Sequence, residues 1–172
     1  MSGTPQDVTP ENGQSTPNGS QKAASAKGQA INMVSKRRKA RTLALQALYQ
    51  WHMSGNSITS VEAEFLADND LNKVDVPYFR ELLKQIPASL SELDAEIAPL
   101  MDRAVDSLDP IEKMLVRMGT YELKQRVDVP YRVVINEAVD LAKKFGGTDG
   151  HKFVNGILDR LAPRIRRHET RK

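Results

Sequence analysis

The chain has 172 residues, no cysteine and a formal net charge of +3. That length holds one ordinary domain, or one domain with a tail. The missing cysteine excludes disulfides and thiolate chemistry, and no apolar run approaches the roughly 18 residues of a membrane span.

Residues 1–34 are rich in Ser, Thr, Pro, Gly, Gln and Asn, with almost no large apolar side chains, so ordering them would bury too little to offset the entropy. This extension is expected to be disordered. It lacks the apolar core of a signal peptide, so the protein is expected to be soluble and cytoplasmic. From Ser35 the period becomes helical. "SKRRKARTLALQALYQWH", Ser35 to His52, places Ala40, Leu43, Ala44, Ala47, Leu48 and Trp51 on one apolar face. Arg38, Arg41, Leu45, Tyr49 and His52 fall on nearly the opposite side.

"SGNS" should end that helix, and "ITSVEAEFLADND" should form a second with Val61, Phe65 and Leu66 inward. "VPYFRELLKQI" gives a third, ending near Pro87. Ser89 and Glu92 have capping-box spacing before "LSELDAEIAPLMDRAV", in which Pro99 kinks or ends the helix. "SLDPIEKMLVRMGTYELKQR" has the clearest start: Asp109 as N-cap, Pro110 at the first helical position and Glu112 reaching back. "DVPYRVVINEAVDLAKKFGG" places Val134, Ala138, Leu141, Ala142 and Phe145 on a core face and stops at Gly146-Gly147. Thr148 or Asp149 caps the last, "GHKFVNGILDRLAPRIRR". No segment alternates like a strand. The fold class is all-α, with six to seven short helices in a domain spanning 35–168, followed by a basic tail at 169–172.

Charge is segregated along this chain. Lys36 to Arg41 carry five cations, and Arg160 to Lys172 carry six cations and Glu169. Residues 1–34 are balanced, so the interval 42–159 is acidic at −7. Basic ends and an acidic middle suit a polyanion at one surface and a second partner elsewhere. Cations in a first helical turn oppose the helix dipole, at about 0.3–1 kcal/mol each. Local stability therefore does not explain them, whereas a phosphate at that helix end would. On this reading, replacing Arg38 and Arg41 by Ala should slightly help the helix. Tyr49 shares their face, and cations interleaved with flat rings suit single-stranded nucleic acid. Lys152 and Phe153 in "HKFVN" are a second element of the same kind; the plainer alternatives are that Tyr49 only closes the edge of the core and that Phe153 packs within it beside Val154 and Ile157.

Other chemistries find little support. His52, His151 and His168 lie far apart, without metal-ligand spacing. "GGTDG" lacks the order of a phosphate loop, and no nucleophile motif occurs. No cofactor, metal or catalytic residue is assigned, and the chain is expected not to be an enzyme.

The blocks "RRKARTLALQALYQW", "DVPYFRELL", "YELKQRVDVPYRVVINEAVDLAKKFG" and "HKFVNGILDRLAPRIR" resemble the NusB family of bacterial transcription antitermination factors, in unbroken order from about Arg37 to Arg166. The resemblance implies two roughly perpendicular three-helix bundles and no catalytic activity. It implies binding of the boxA element of ribosomal RNA leader transcripts together with NusE, a small-subunit ribosomal protein. NusA, NusG and RNA polymerase complete that complex. It places RNA contacts on Arg37, Arg38, Lys39, Arg41 and Tyr49, and on Asp149, Lys152, Phe153 and Asn155, with Glu112 facing NusE. Lys39 stands where the family commonly has Arg, which keeps the charge but loses a forked donor. Two other readings compete: an accessory module of a ribosomal RNA methyltransferase, and a helical bundle that binds only protein.

Overall fold

Helical periodicity with capping residues at its breaks leaves nothing to build a sheet, and every regular element among the described residues, 2–3 and 19–171 in this computed structural model, is helical. The α-helices are α1 (Gly19–Ser54), α2 (Ile58–Asp68), α3 (Val76–Ala88), α4 (Leu90–Ile97), α5 (Pro110–Gln125), α6 (Tyr131–Phe145), α7 (Gly150–Ile165) and α8 (Arg167–Thr170). Single 3-10 turns occur at Ala98–Leu100, where Pro99 ends α4, and at Val105–Ser107.

The chain divides into two units, Met1–Asn32 and Met33–Lys172. In the first, residues 19–32 are helical. This corrects the expected helix start at Ser35. Ala23, Ala24, Ala26 and Ala30 are the best helix formers, and lengthening an existing helix needs no new nucleus. Of the extension expected to be disordered, residues 1 and 4–18 lie outside the described residues, as does Lys172. At the other end α8 crosses the boundary expected between residues 168 and 169.

In the second unit α5 is buried from Lys113 through Leu123, as a central helix must be. The Asp109 carboxylate accepts hydrogen bonds from the N–H groups of Ile111 and Glu112, as its position before Pro110 suggested. α5, α6 and α7 each pack on the other two, while α3 and α4 also pack on α5. From α3 come Tyr78, Phe79, Leu82, Leu83 and Ile86, at the three- and four-residue steps of one face. The expected core positions Val134, Ala138, Leu141 and Ala142 of α6 are buried. The Ser89 capping box does not form: the Ser89 side chain makes no capping bond, and its N–H donates to Ile86 O, closing α3.

At Gly119 the backbone of α5 lies directly against Leu158 of α7. A Cβ there would lie 2.7 Å from both methyl carbons of Leu158, which is fully buried. Gly119→Val is therefore expected to destabilise the protein by about 1–3 kcal/mol through overpacking. Chemical denaturation should show a lower midpoint with an unchanged slope.

Candidate nucleic-acid interface

Because α1 begins at Gly19, the cations expected at a helix start lie in its interior. The free N–H groups of a helix belong to its first turn, so no helix-end phosphate site forms around Arg37 to Arg41. The opposite faces read from periodicity also need correction. Ala40, Ala44, Ala47 and Leu48 are buried as expected, but so are Arg41 and Leu45. The buried arc covers nearly half the helix circumference at about 100° per residue, with Arg41 and Leu45 along one edge. What remains outward is a strip holding Arg38, Lys39, Gln46, Tyr49 and Met53.

Each cation of the run has its own environment. Arg41 is only 4 % exposed: its Nε donates to Glu122 Oε1 at 2.9 Å and its NH2 to Glu122 Oε2 at 3.0 Å. Burial works against its charge, but the hydrogen bonds and field of Glu122 outweigh this and raise its pKa. Arg37 lies 3.6 Å from both Asp75 and Asp128, with its guanidinium 4.5 Å from the centre of the Tyr78 ring. Arg41 and Arg126 approach the same ring at 5.4 and 5.0 Å, so three guanidinium groups surround one buried tyrosine. Such cation–π contacts gain strength when desolvated. Arg38 extends outward with its side chain 61 % exposed, yet its Nε and NH2 both bond to Glu137 of α6. Lys39 is exposed and makes no ion pair among the described residues.

Part of the basic run thus docks α1 onto its neighbours, and part faces solvent. Asp75 N–H donates to Lys36 O at 3.1 Å, tying the start of α3 to the same segment. Tyr49 is 37 % exposed and lines a depression of about 660 Å³ with Gln46, Gln50, Met53 and Phe65.

At the start of α7, Lys152 and Asp149 pair at 3.3 Å, both well exposed, and Asn155 is exposed beside them. Asp149 occupies the N-cap position without a side-chain capping bond. Phe153 is half-buried against the core. Glu112 belongs to the same neighbourhood: a Cβ on Gly150 would meet Glu112 Oε1 at 2.7 Å, so its carboxylate lies on the first residue of α7. A negative group at that end complements the helix dipole. Burial and then Asp109 raise the Glu112 pKa. No bond from Glu112 back to the Asp109 N–H is present, so the reciprocal half of the expected cap is not formed.

The C-terminal basic stretch also divides. Arg160, Arg164, Arg167 and Arg171 are exposed, whereas Arg166 is 7 % exposed and donates to four backbone carbonyls. Sequence reasoning missed Tyr78, Glu122 and Glu137 as the groups that fix α1. The buried tyrosine in "VPYFREL" and the two acids on core helices were the available signals.

The fold and this surface define a class: an all-helical domain presenting cations and aromatic rings along α1 and the first turns of α7. The chain belongs to the NusB family, whose profile matches residues 38–163. It is 60% identical over 135 residues to the Transcription antitermination protein NusB of Hahella chejuensis, covering 78% of this chain and 91% of that protein. The protein of the same name from Pseudomonas savastanoi pv. phaseolicola is 48% identical over 164 residues, 95% of this chain and 97% of its own. A solved structure of T. maritima NusB matches with a TM-score of 0.64 at 30% identity, covering 73% of this chain and 89% of that one.

Proposed function

We propose that this protein is a transcription antitermination factor that binds single-stranded boxA RNA of ribosomal RNA leaders together with NusE. In that complex, with NusA and NusG, it supports elongation by RNA polymerase. The observation that carries this reading is the outward strip of α1, where Arg38 and Lys39 stand on the same solvent-facing side as Tyr49, in a chain whose relatives bear the antitermination name.

Lys39, and the Arg38 nitrogen not engaged by Glu137, supply charge for phosphates. The Tyr49 ring offers a surface for an unstacked base, worth roughly 1–3 kcal/mol. Lys152, Phe153 and Asn155 supply a second set on α7, with Asp149 orienting Lys152. Arg37 and Arg41 serve this surface chiefly by holding α1 in place, since both are engaged by carboxylates and Tyr78.

Titrating boxA RNA against a scrambled RNA of equal length, with and without NusE, tests the reading. It predicts tighter binding of boxA and a further gain with NusE. Equal binding of both RNAs in the presence of NusE contradicts it.

Glu112 is the proposed NusE contact. Glu112→Lys should weaken NusE binding through charge reversal while leaving the RNA affinity of the free protein nearly unchanged. It should also lower stability by about 0.3–1 kcal/mol, because it places a cation at the positive end of α7. Calorimetric titration with NusE, paired with a melting curve, checks both. Parental NusE affinity would remove Glu112 from the interface.

A further inference from the structure

The last arginines of the chain are of two kinds. Arg166 turns inward to backbone carbonyls, whereas Arg164, Arg167 and Arg171 are exposed and make no ion pair or side-chain hydrogen bond among the described residues. They recur at steps of three and four, and helix-type bonding crosses the junction of α7 and α8: Arg166 N–H donates to Ala162 O and Thr170 N–H to Arg166 O. Arg167 and Arg171 therefore share a side with Pro163, and with Thr170 these residues bound a depression of about 370 Å³.

Local stability explains little of this. A cation in the last turn of a helix complements its dipole, which accounts for Arg164 in α7. The four-residue α8 offers Arg167 and Arg171 little of that field, and Arg171 lies past its end. Acids along the stretch do not neutralise them either. Glu169 is taken by the Arg166 NH1 at 2.6 Å and the Tyr131 N–H at 2.8 Å, which leaves Asp159 as the other exposed acid between residues 155 and 171. No exposed large apolar side chain belongs to α7 or α8, whereas a protein partner needs an apolar or aromatic anchor. A phosphate backbone needs charge alone.

The face also continues the surface proposed for boxA, since Lys152 and Asn155 open the same helix and Arg160 lies exposed between its ends. From Lys152 to Arg164 the helix runs about 18 Å at 1.5 Å per residue. Nucleotides held at its first turns do not reach that far, so further ones are needed.

We propose that Arg164, Arg167 and Arg171 form a second RNA contact, which holds backbone phosphates of nucleotides flanking boxA without reading their bases. One phosphate sits between Arg167 and Arg171, with its ribose against Pro163. The inference rests on the RNA-binding reading and extends it to a sequence-independent arm of the transcript.

The test uses full-length protein: the parent, a triple variant with Arg164→Gln, Arg167→Gln and Arg171→Gln, a triple variant with Lys at the same positions, and Arg171→Gln alone. The probes are minimal boxA RNA and boxA RNA lengthened at its 5′ or its 3′ end by about six nucleotides of unrelated sequence. The parent should bind one lengthened RNA more tightly than the minimal one, with a slope of log affinity against log salt steeper by about 2, roughly 0.7 per single-strand contact. That advantage should shrink roughly 20-fold between about 50 and 200 mM salt. The triple Gln variant should bind minimal boxA RNA as the parent does and lose the advantage of length, while the triple Lys variant keeps most of it. Melting temperatures should agree within about 4 °C. Should the triple Gln variant melt lower, Arg171→Gln at the chain end still reports, by flattening the slope on the lengthened RNA by about 0.7. No advantage of length in the parent, or an advantage kept by both Gln variants, overturns the flanking contact and leaves the RNA-binding reading standing. Loss of NusE binding with every RNA affinity unchanged would make the face a protein contact and likewise overturn it. A parent that does not distinguish boxA from scrambled RNA, with or without NusE, removes both.

Discussion

Arg41→Ala is expected to lower the melting temperature by roughly 10 °C or more, the opposite of the slight gain that a misplaced surface cation would give. The substitution leaves the Glu122 carboxylate, 3 % exposed, without its guanidinium. Removing one member of a buried pair costs about 3–5 kcal/mol, because the remaining charge is desolvated and uncompensated. Part of the cation packing on Tyr78 is lost as well. The double substitution Arg41→Met with Glu122→Leu separates charge from volume: apolar replacements of similar size recover much of the stability. If Arg41→Ala melts within about 2 °C of the parent, the buried pair does not hold α1.

Arg166→Ala should have an effect of similar size through hydrogen bonding. The Arg166 Nε donates to Leu123 O at 2.7 Å, NH1 to Val129 O at 2.9 Å, and NH2 to Glu122 O and Arg126 O at 3.1 and 2.9 Å. These carbonyls terminate α5 and the segment leading to α6; Glu122 O also accepts from the Arg126 N–H and Arg126 O from the Val129 N–H, so Leu123 O and Val129 O are the two that depend most on Arg166. An unsatisfied buried acceptor costs about 1–3 kcal/mol. Water entering the vacated space offsets part of that sum, leaving an expected loss of about 3–5 kcal/mol. Arg166→Lys should recover only a fraction, because three donors at one point cannot reach four carbonyls spread over a planar fork. Hydrogen exchange should show the last turn of α5 and the 126–130 segment opening first. Unchanged protection there would mean that Arg166 is not the clamp.

These two arginines show where sequence reading stops. Periodicity gave the core side of α1 through Ala40, Ala44, Ala47 and Leu48, and local spacing gave the Asp109 cap of α5. Both signals are encoded within a few residues of where they act. Arg41 pairs with a residue 81 positions away, and Arg166 binds carbonyls about 40 positions away. A pattern of faces cannot say which acid will meet which base. The cation count of each terminus was therefore legible, but its division into structural and solvent-facing members was not. The start of α1 failed for a different reason: lack of core-forming side chains was read as lack of structure, although alanines sufficed to continue the helix.

Pairing at a distance also bears on the proposed RNA surface. Removing Arg38 would strand Glu137, whose side chain is only 9% exposed, so its loss mixes binding with stability. Lys39 and Lys152 are exposed, and Lys152 has only the exposed Asp149 as its ion-pair partner among the described residues. They are the cleaner probes of phosphate contact.

The most direct measurement is the salt dependence of boxA RNA affinity for the parent, Lys39→Ala with Lys152→Ala, and Tyr49→Ala. If the two lysines each neutralise a phosphate, the double variant binds more weakly at low salt. Its slope of log affinity against log salt should flatten by about 1.4, roughly 0.7 per single-strand contact. Tyr49→Ala should bind more weakly with the slope nearly unchanged, because stacking releases no counterions. A double-lysine variant with the parental affinity and slope would contradict the account, for the solvent-facing cations of α1 and α7 would then not be where the RNA backbone lies.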